Sequence, residues 1–151
     1  MNDRLKALYQ KVIMKHSKQP FHFEKKIPCD HIVVANNPVC GDNYNFYIDA
    51  DTEKIGKIYF HGFGCAISKA SNSVLATLIS NQDWRDAYQY CNAFLAYLEH
   101  KDGADQKPLD PAFEAFSAVH EFPSRMDCAT LGWKEVKKFV ETHLKKEDIR
   151  Q

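Results

Sequence analysis

Apolar residues recur at helical spacing over residues 3–15, which predicts an amphipathic first helix with Asn2 or Asp3 as its N-cap. Pro20 ends this segment, and we expect residues 21–28 to form a loop. Short runs of β-branched and aromatic residues then alternate with turn signals, a pattern typical of strands. The predicted strands are residues 31–35, 44–48 and 54–61, with turns at 36–38 and 49–51.

The remainder of the chain is predicted to be helical. Apolar stripes with a helical period cover residues 66–79, 83–100, 111–119 and 124–144. Ser124-x-x-Asp127 is a capping pattern for the last of these helices, and residues 145–151 are expected to form a flexible tail. Together these elements predict an α+β fold, in which helices pack on a small three-stranded antiparallel sheet.

Length and composition place the chain among ordinary globular domains. It has 151 residues, 44% of them hydrophobic and 26% charged, so we expect one domain over residues 1–151. Twenty basic residues balance twenty acidic residues, which argues against nucleic acid as a partner. No apolar run resembles a signal peptide or approaches the roughly 20 residues of a membrane span. We therefore expect a cytoplasmic monomer without a membrane partner.

The five cysteines differ in their surroundings. Because cytoplasmic thiols stay reduced, they are candidate metal ligands, reactive thiols or small buried hydrophobes. Cys91 lies on an apolar helical stripe and is predicted to be buried, whereas Cys29 lies in a loop with no evident chemical partner.

The other three cysteines lie where the predicted structure changes type. In Cys40-Gly41-Asp42 the glycine allows a sharp bend, so the thiol and the carboxylate can point toward one centre. Cys65 opens the helix that begins near residue 66, and Cys128 lies in the first turn of the last helix. Helix N-termini favour negative charge, so Cys65 and Cys128 should ionise more readily than free thiols.

Three thiolates and one carboxylate could complete a tetrahedron around Zn²⁺ or the four terminal positions of a two-iron cluster. A carboxylate oxygen is a hard ligand, and among soft thiolate sulfurs it can weaken metal binding. Such a site suits a metal centre that releases one of its ligands. From spacing alone, three buried structural cysteines remain an equal alternative. A purely structural zinc module should unfold without metal, and a hydrolytic zinc site would keep a position for water, so both fit this chain less well.

Other polar residues are weaker candidates. Arg125 could stabilise a thiolate or persulfide anion near Cys128, although a solvated arginine fits equally well. We expect His22, His31 and His61 not to be ligands.

Three motifs and the first helix together resemble the NifU/IscU-type iron–sulfur cluster assembly proteins. The motifs are Asn37-Pro38-Val39-Cys40-Gly41-Asp42, Gly62-Phe63-Gly64-Cys65-Ala66-Ile67-Ser68 and Arg125-Met126-Asp127-Cys128-Ala129-Thr130-Leu131. The chain is most similar to the SufU branch, because Asp127 stands where the IscU branch has histidine and because the segment between Cys65 and Cys128 is long.

The resemblance implies a SufE/NifU-like fold and an iron–sulfur cluster biogenesis function. Cys40, Asp42, Cys65 and Cys128 would be the ligands of Zn²⁺, and Cys40 would accept persulfide sulfur from a PLP-dependent cysteine desulfurase of the SufS-like type. Its downstream partners would be cluster assembly or acceptor proteins. The alternative is an IscU-like scaffold on which iron or a transient [2Fe-2S] cluster is held by the same four residues and handed to apo-proteins.

Overall fold

The computed structural model describes residues 2–99 and 107–150, and the α+β prediction is confirmed. Three strands form an antiparallel sheet in the order β1-β2-β3. The strands are β1 His31–Asn37, β2 Asp42–Ala50 and β3 Ile55–Phe63. The helices are α1 Asp3–Leu8, α2 Lys15–Lys18, α3 Ala66–Ile79, α4 Trp84–Glu99, α5 Ala112–Ala115 and α6 Met126–Arg150. No helix within the described ranges is long and apolar enough to cross a membrane.

One face of the sheet packs against α3 and α6. Tyr44, Phe46 and Ile48 alternate along β2 and are buried, as expected for side chains that share one face of a strand. The Phe46 ring reaches α6, where a side chain on Gly132 would collide with it. The Tyr44 hydroxyl reaches α3. The core therefore lies between the sheet and these two helices.

The loop before β1 covers the free edge of β3. Phe60 donates its backbone N–H to the carbonyl of His22 at 3.0 Å, and the His22 ring stacks on Tyr59 at 4.3 Å between centroids. Strand β1 forms the opposite edge of the sheet, where Ile32 and Val34 are exposed.

A buried polar link fixes α6 against α3. The Ser71 hydroxyl on α3 donates to the carbonyl of Ala129 on α6, and the Trp133 indole N–H donates to Ser71 Oγ at 3.0 Å. Because all three groups are buried, each needs its partner. The link sets the height of the first turn of α6 along α3.

The second half of the core is aromatic. Phe94 on α4 stacks on Trp133 of α6 with centroids 4.3 Å apart, and Phe113 meets both rings edge-on. Cys91 lies fully buried on the same helix as Phe94, which confirms its interpretation as a small hydrophobe. Burial raises the pKa of the Cys91 thiol to about 12, so this cysteine stays protonated.

Two predictions for the last helix are corrected. Helix α6 begins at Met126 after a 3₁₀ turn, Pro123–Arg125, so Ser124 lies inside that turn rather than at the predicted cap. The helix also continues to Arg150, six residues beyond the predicted end at residue 144. The segment from residue 145 is therefore helical as far as Arg150, and its flexibility stays a prediction.

Smaller differences lie elsewhere. A π-helical segment, Tyr9–Met14, joins α1 to α2, so the first helical region extends to Lys18. The predicted helix over residues 111–119 is the short α5 followed by the 3₁₀ segment Phe116–Glu121. Residues 101–111 form a polar segment with glycine and proline, a composition typical of a loop, and this segment lies largely outside the described residues.

A histidine ties the first helical region to α3. Phe21 donates its backbone N–H to Ser73 Oγ at 2.7 Å, and Ser73 lies 2.7 Å from His16 Nδ1. Because Ser73 accepts from Phe21, its own hydrogen is available for Nδ1, which suits a neutral imidazole. Burial, and then the charge of Lys15, lower the pKa of His16.

The lowered pKa of His16 predicts a loss of stability in mild acid. The unfolded chain binds a proton at this histidine before the folded chain does, so the free energy of unfolding falls as pH drops through about 6.5. We expect His16→Asn, whose side chain can still accept from Ser73, to flatten the change in urea midpoint between neutral pH and pH 5.5. The exposed His61→Asn is the control, and an unchanged pH dependence in His16→Asn would contradict the assignment.

Candidate metal centre

Asp42 is positioned by the hairpin that joins β1 to β2. Its backbone pairs with Asn37, and the intervening turn ends at Gly41, whose φ of +73° is a conformation that favours glycine. Asp42 is thus the first residue of β2 rather than a turn residue, and it is buried. The expected bend at Gly41 is present.

The two carboxylate oxygens of Asp42 have different surroundings. Oδ1 accepts from the backbone N–H of Cys65 at 3.3 Å and from the Ser68 hydroxyl at 3.2 Å. Oδ2 is buried and has no hydrogen-bond partner. A buried carboxylate oxygen without a partner is costly, so it indicates an interaction with another positive or donating group.

Cys65 is the N-cap of α3, which confirms that it opens this helix. Its backbone is extended, with φ −75° and ψ 171°, and its Sγ accepts from the Ser68 N–H at 3.5 Å. The sulfur therefore takes the place that a serine or aspartate oxygen usually fills at a helix start.

Cys128 lies in the first turn of α6 and is buried. The link from Ser71 to Ala129, the next residue, holds this turn against α3. As a result, Asp42, Cys65 and Cys128 each offer a ligand atom, and these atoms all lie within 4.8 Å of one another. Three elements distant in sequence thus converge on one point.

The surroundings of Cys128 oppose the ready ionisation that its position at a helix start predicted. Burial is the main cause that raises the pKa of Cys128, and the neighbouring Asp42 and Cys65 raise it further. These effects outweigh the favourable helix start. Burial similarly raises the pKa of Tyr44, beside this cluster, to about 12.

Cys40 is exposed in the turn between β1 and β2, outside the group formed by Asp42, Cys65 and Cys128. Arg125 is exposed in the 3₁₀ turn before α6. A hydrogen bond with Cys128, followed by the charges of Cys65, Cys128 and Cys40, raises the pKa of Arg125. Arg125 is therefore placed where it would stabilise a negative charge on any of the three candidate cysteines.

The donor set suits a borderline metal ion. Two sulfurs and a carboxylate oxygen are ligands that Zn²⁺ accepts, and the unpartnered Oδ2 of Asp42 is the kind of atom that a cation satisfies. Three donors leave a fourth position, and Cys40 is two residues from Asp42. Within the described residues, the candidate ligand group contains none of His22, His31 and His61.

Two residues that support the cluster, Ser68 and Gly64, were not among the candidates predicted from the sequence. Ser68 bonds Asp42 Oδ1 and lies 2.9 Å from the Tyr44 hydroxyl, which orders both side chains. A Cβ on Gly64 would collide with Ser68, Tyr44 and Asp42 at once, so the backbone passes directly over them. No local sequence pattern identifies Ser68 as a partner of Asp42, because this contact depends on how α3 packs against β2.

The chain matches a known protein family over more than half of its length. The model for the NifU-like N-terminal domain matches residues 8–100. The chain belongs to the NifU-like N-terminal domain family. The match includes Cys40, Asp42 and Cys65, whereas Cys128 lies beyond it.

Two relatives of this NifU-like chain match almost its full length. The zinc-dependent sulfurtransferase SufU of Bacillus subtilis (strain 168) is 37% identical over 140 residues, covering 92% of this chain and 93% of that protein. The iron–sulfur cluster assembly scaffold protein IscU of Streptococcus pyogenes serotype M1 is 31% identical, covering 98% and 95%. The predicted resemblance is confirmed.

A solved structure supports the same fold. The structure of FiSufU, a SUF-system protein from Fervidobacterium islandicum AW-1, has a TM-score of 0.76 and 29% identity to this NifU-like chain. The similarity covers 87% of this chain and 95% of that structure.

Loss of the Ser68 hydroxyl should weaken metal binding. Ser68→Ala frees Asp42 Oδ1 from one of its two donors, and loss of such an outer partner typically lowers metal affinity by about 10–100-fold. We expect this decrease for Zn²⁺, measured by competition with a chromophoric chelator. Ser117→Ala, which removes a hydroxyl bonded to the Glu114 carbonyl in the 3₁₀ segment, is the control. Equal Zn²⁺ affinity in a folded Ser68→Ala protein would contradict the role of Ser68.

Proposed function

We propose that this chain accepts persulfide sulfur from a PLP-dependent cysteine desulfurase, of the SufS-like type, for iron–sulfur cluster biogenesis. The observation that carries the proposal is an exposed thiol, Cys40, two residues from a buried carboxylate that gathers two further thiols. The zinc-dependent sulfurtransferase named among the relatives supports the same chemistry.

The metal assignment is part of this proposal. Asp42, Cys65 and Cys128 would hold Zn²⁺, with Cys40 as the fourth ligand. When bound, the ion would stabilise the thiolate form of its cysteine ligands. The chain itself contributes the hydrogen bonds to Asp42 and the burial of Cys128, which keep the donors together.

Sulfur transfer needs only the two sulfur partners. The Cys40 thiolate attacks the terminal sulfur of the donor persulfide, a new sulfur–sulfur bond forms at Cys40, and the donor cysteine leaves as a thiolate. This exchange requires no further oxidant or reductant. Arg125 would stabilise the persulfide anion formed on Cys40, since a negative charge on Cys40 is among the interactions that raise the pKa of this arginine.

Removal of the acceptor thiol should abolish transfer. We expect Cys40→Ala to take up no sulfur from a desulfurase supplied with ³⁵S-labelled L-cysteine, followed by non-reducing gel and autoradiography. Cys29→Ala is the matched control, since Cys29 is another loop thiol and should be dispensable. Labelling of Cys40→Ala at the wild-type rate would refute the acceptor assignment.

A scaffold function is the second candidate, and the IscU relative favours it. The same four side chains would then hold a transient [2Fe-2S] cluster as cargo for downstream acceptor proteins. Anaerobic incubation with iron and sulfide, followed by visible absorption and transfer to an apo-ferredoxin, tests this function. A stoichiometric and transferable cluster would favour the scaffold, whereas absence of a cluster together with desulfurase stimulation would favour sulfur transfer.

The same proposal includes a cytoplasmic location and a monomeric state. The monomer would bind its desulfurase first and cluster assembly proteins afterwards.

A further inference from the structure

The hydroxyl of Tyr44 is a buried polar group beside the candidate centre. Tyr44 lies two residues after Asp42 on β2, so both side chains project from the same face of the sheet. Its side chain is buried, and its hydroxyl lies 2.9 Å from Ser68 Oγ. A phenylalanine would fill the same space without a hydroxyl that has to keep a hydrogen-bond partner. Core packing alone therefore does not account for the tyrosine.

The backbone around Tyr44 holds its hydroxyl in place. Tyr44 pairs with Ala35 on β1 and with Gly62 on β3, so small residues flank it on both sides in the central strand. A Cβ on Gly64 would collide with the Tyr44 hydroxyl, Ser68 Oγ and Asp42 Oδ1. The three oxygens thus lie together under the backbone of Gly64, where water has little room to replace one of them.

Ser68 has one hydroxyl hydrogen and more than one acceptor for it. Asp42 Oδ1 lies 3.2 Å from Ser68 Oγ, and the backbone carbonyl oxygen of Cys65 lies 3.0 Å away. The carboxylate receives this hydrogen when Tyr44 donates to Ser68 and Ser68 donates to Asp42. A donor to Ser68 also polarises its hydroxyl, which favours the charged acceptor over the neutral carbonyl.

This chain of hydrogen bonds determines what Asp42 can offer to a metal ion. Oδ1 accepts from the Cys65 N–H and the Ser68 hydroxyl, which use both of its lone-pair sites. Oδ2 is buried and has no hydrogen-bond partner. While Ser68 donates to Oδ1, the carboxylate therefore has a single oxygen available as a ligand.

We propose that Tyr44 is a positioning residue of the centre, whose hydroxyl acts through Ser68 to keep Asp42 a one-oxygen metal ligand. The inference rests on the metal assignment in the proposed function and is independent of sulfur transfer. A carboxylate that offers one oxygen suits a four-coordinate Zn²⁺ site, whereas a second oxygen would add a fifth donor. Without the Tyr44 hydroxyl, Ser68 can turn to the Cys65 carbonyl and release Oδ1.

A double-mutant cycle tests whether Tyr44 acts through Ser68. Its members are the wild type, Tyr44→Phe, Ser68→Ala and the double variant. Tyr47→Phe is the matched control, because Tyr47 is also buried on β2 but lies an odd number of residues from Tyr44, on the opposite face of the sheet. Urea midpoints establish that each variant is folded.

Two measurements are made on each folded variant. The Kd for Zn²⁺ is obtained by competition with a chromophoric chelator. Visible absorption of the Co²⁺-loaded protein reports coordination number, because four-coordinate Co²⁺ absorbs more intensely than five-coordinate Co²⁺. A residue that only stabilises the fold would shift the urea midpoint and leave the Co²⁺ spectrum unchanged.

Tyr44→Phe should raise the Kd for Zn²⁺ about three- to tenfold, less than the loss of Ser68 itself, because Tyr44 is one contact further from the carboxylate. In the Ser68→Ala background the same change should alter Kd by less than about twofold, since the intermediary is gone. The Co²⁺ bands of Tyr44→Phe and Ser68→Ala should weaken in the same way. Tyr47→Phe should keep the wild-type Kd and spectrum.

Several outcomes would overturn the role of Tyr44. These are an unchanged Kd and spectrum in Tyr44→Phe, an equal effect of Tyr47→Phe, and effects of Tyr44→Phe and Ser68→Ala that multiply in the double variant. If the wild type binds neither Zn²⁺ nor Co²⁺, the metal assignment fails and the role of Tyr44 fails with it. If the predicted cycle is found but the chain accepts no sulfur from a desulfurase, sulfur transfer is wrong and the role of Tyr44 stands.

Discussion

The structure of the candidate centre depends on how the start of α3 holds one carboxylate. Asp42 Oδ1 accepts from the Cys65 N–H and the Ser68 hydroxyl, so the sheet and the helix meet through a buried charge. Hydrogen bonds to a charged group are stronger than neutral ones, and they are costly to leave unmade in the interior. With Oδ1 occupied in this way, Oδ2 is left buried without a hydrogen-bond partner, and an oxygen of this carboxylate lies within 4.8 Å of both sulfurs.

Packing of the large hydrophobic residues brings the third donor into place. The stack of Phe94 on Trp133 fixes α6 laterally, and the Trp133–Ser71–Ala129 link fixes its height along α3. Cys128 is adjacent to that link, so its sulfur is positioned by contacts made several residues away. Burial has an electrostatic cost as well, because it disfavours the thiolate that metal binding requires.

Much of this arrangement could be predicted from local patterns. The three strands, the helix Ala66–Ile79, the bend at Gly41 and the position of Cys65 at a helix start all follow from short-range propensities. The roles of Ser68 and Ser71 could not be predicted, because a serine in a helix is identified as a partner only by what lies opposite it. The raised pKa of Cys128 could not be predicted for the same reason. A position at a helix start can be inferred from sequence, whereas burial beside a carboxylate depends on tertiary packing.

The hairpin around Gly41 sets a short tether. Asn37 and Asp42 pair across the turn, and the hydrogen-bonded Asp42 side chain fixes the end of the turn. Cys40 lies two residues before this fixed point. Two residues span at most roughly 7 Å, which limits the travel of any cargo on this thiol. Cys40 therefore cannot carry a bound group between two distant sites. Each partner that reacts with this thiol must bring its reactive atom to the same position, so we expect successive partners to compete for binding there.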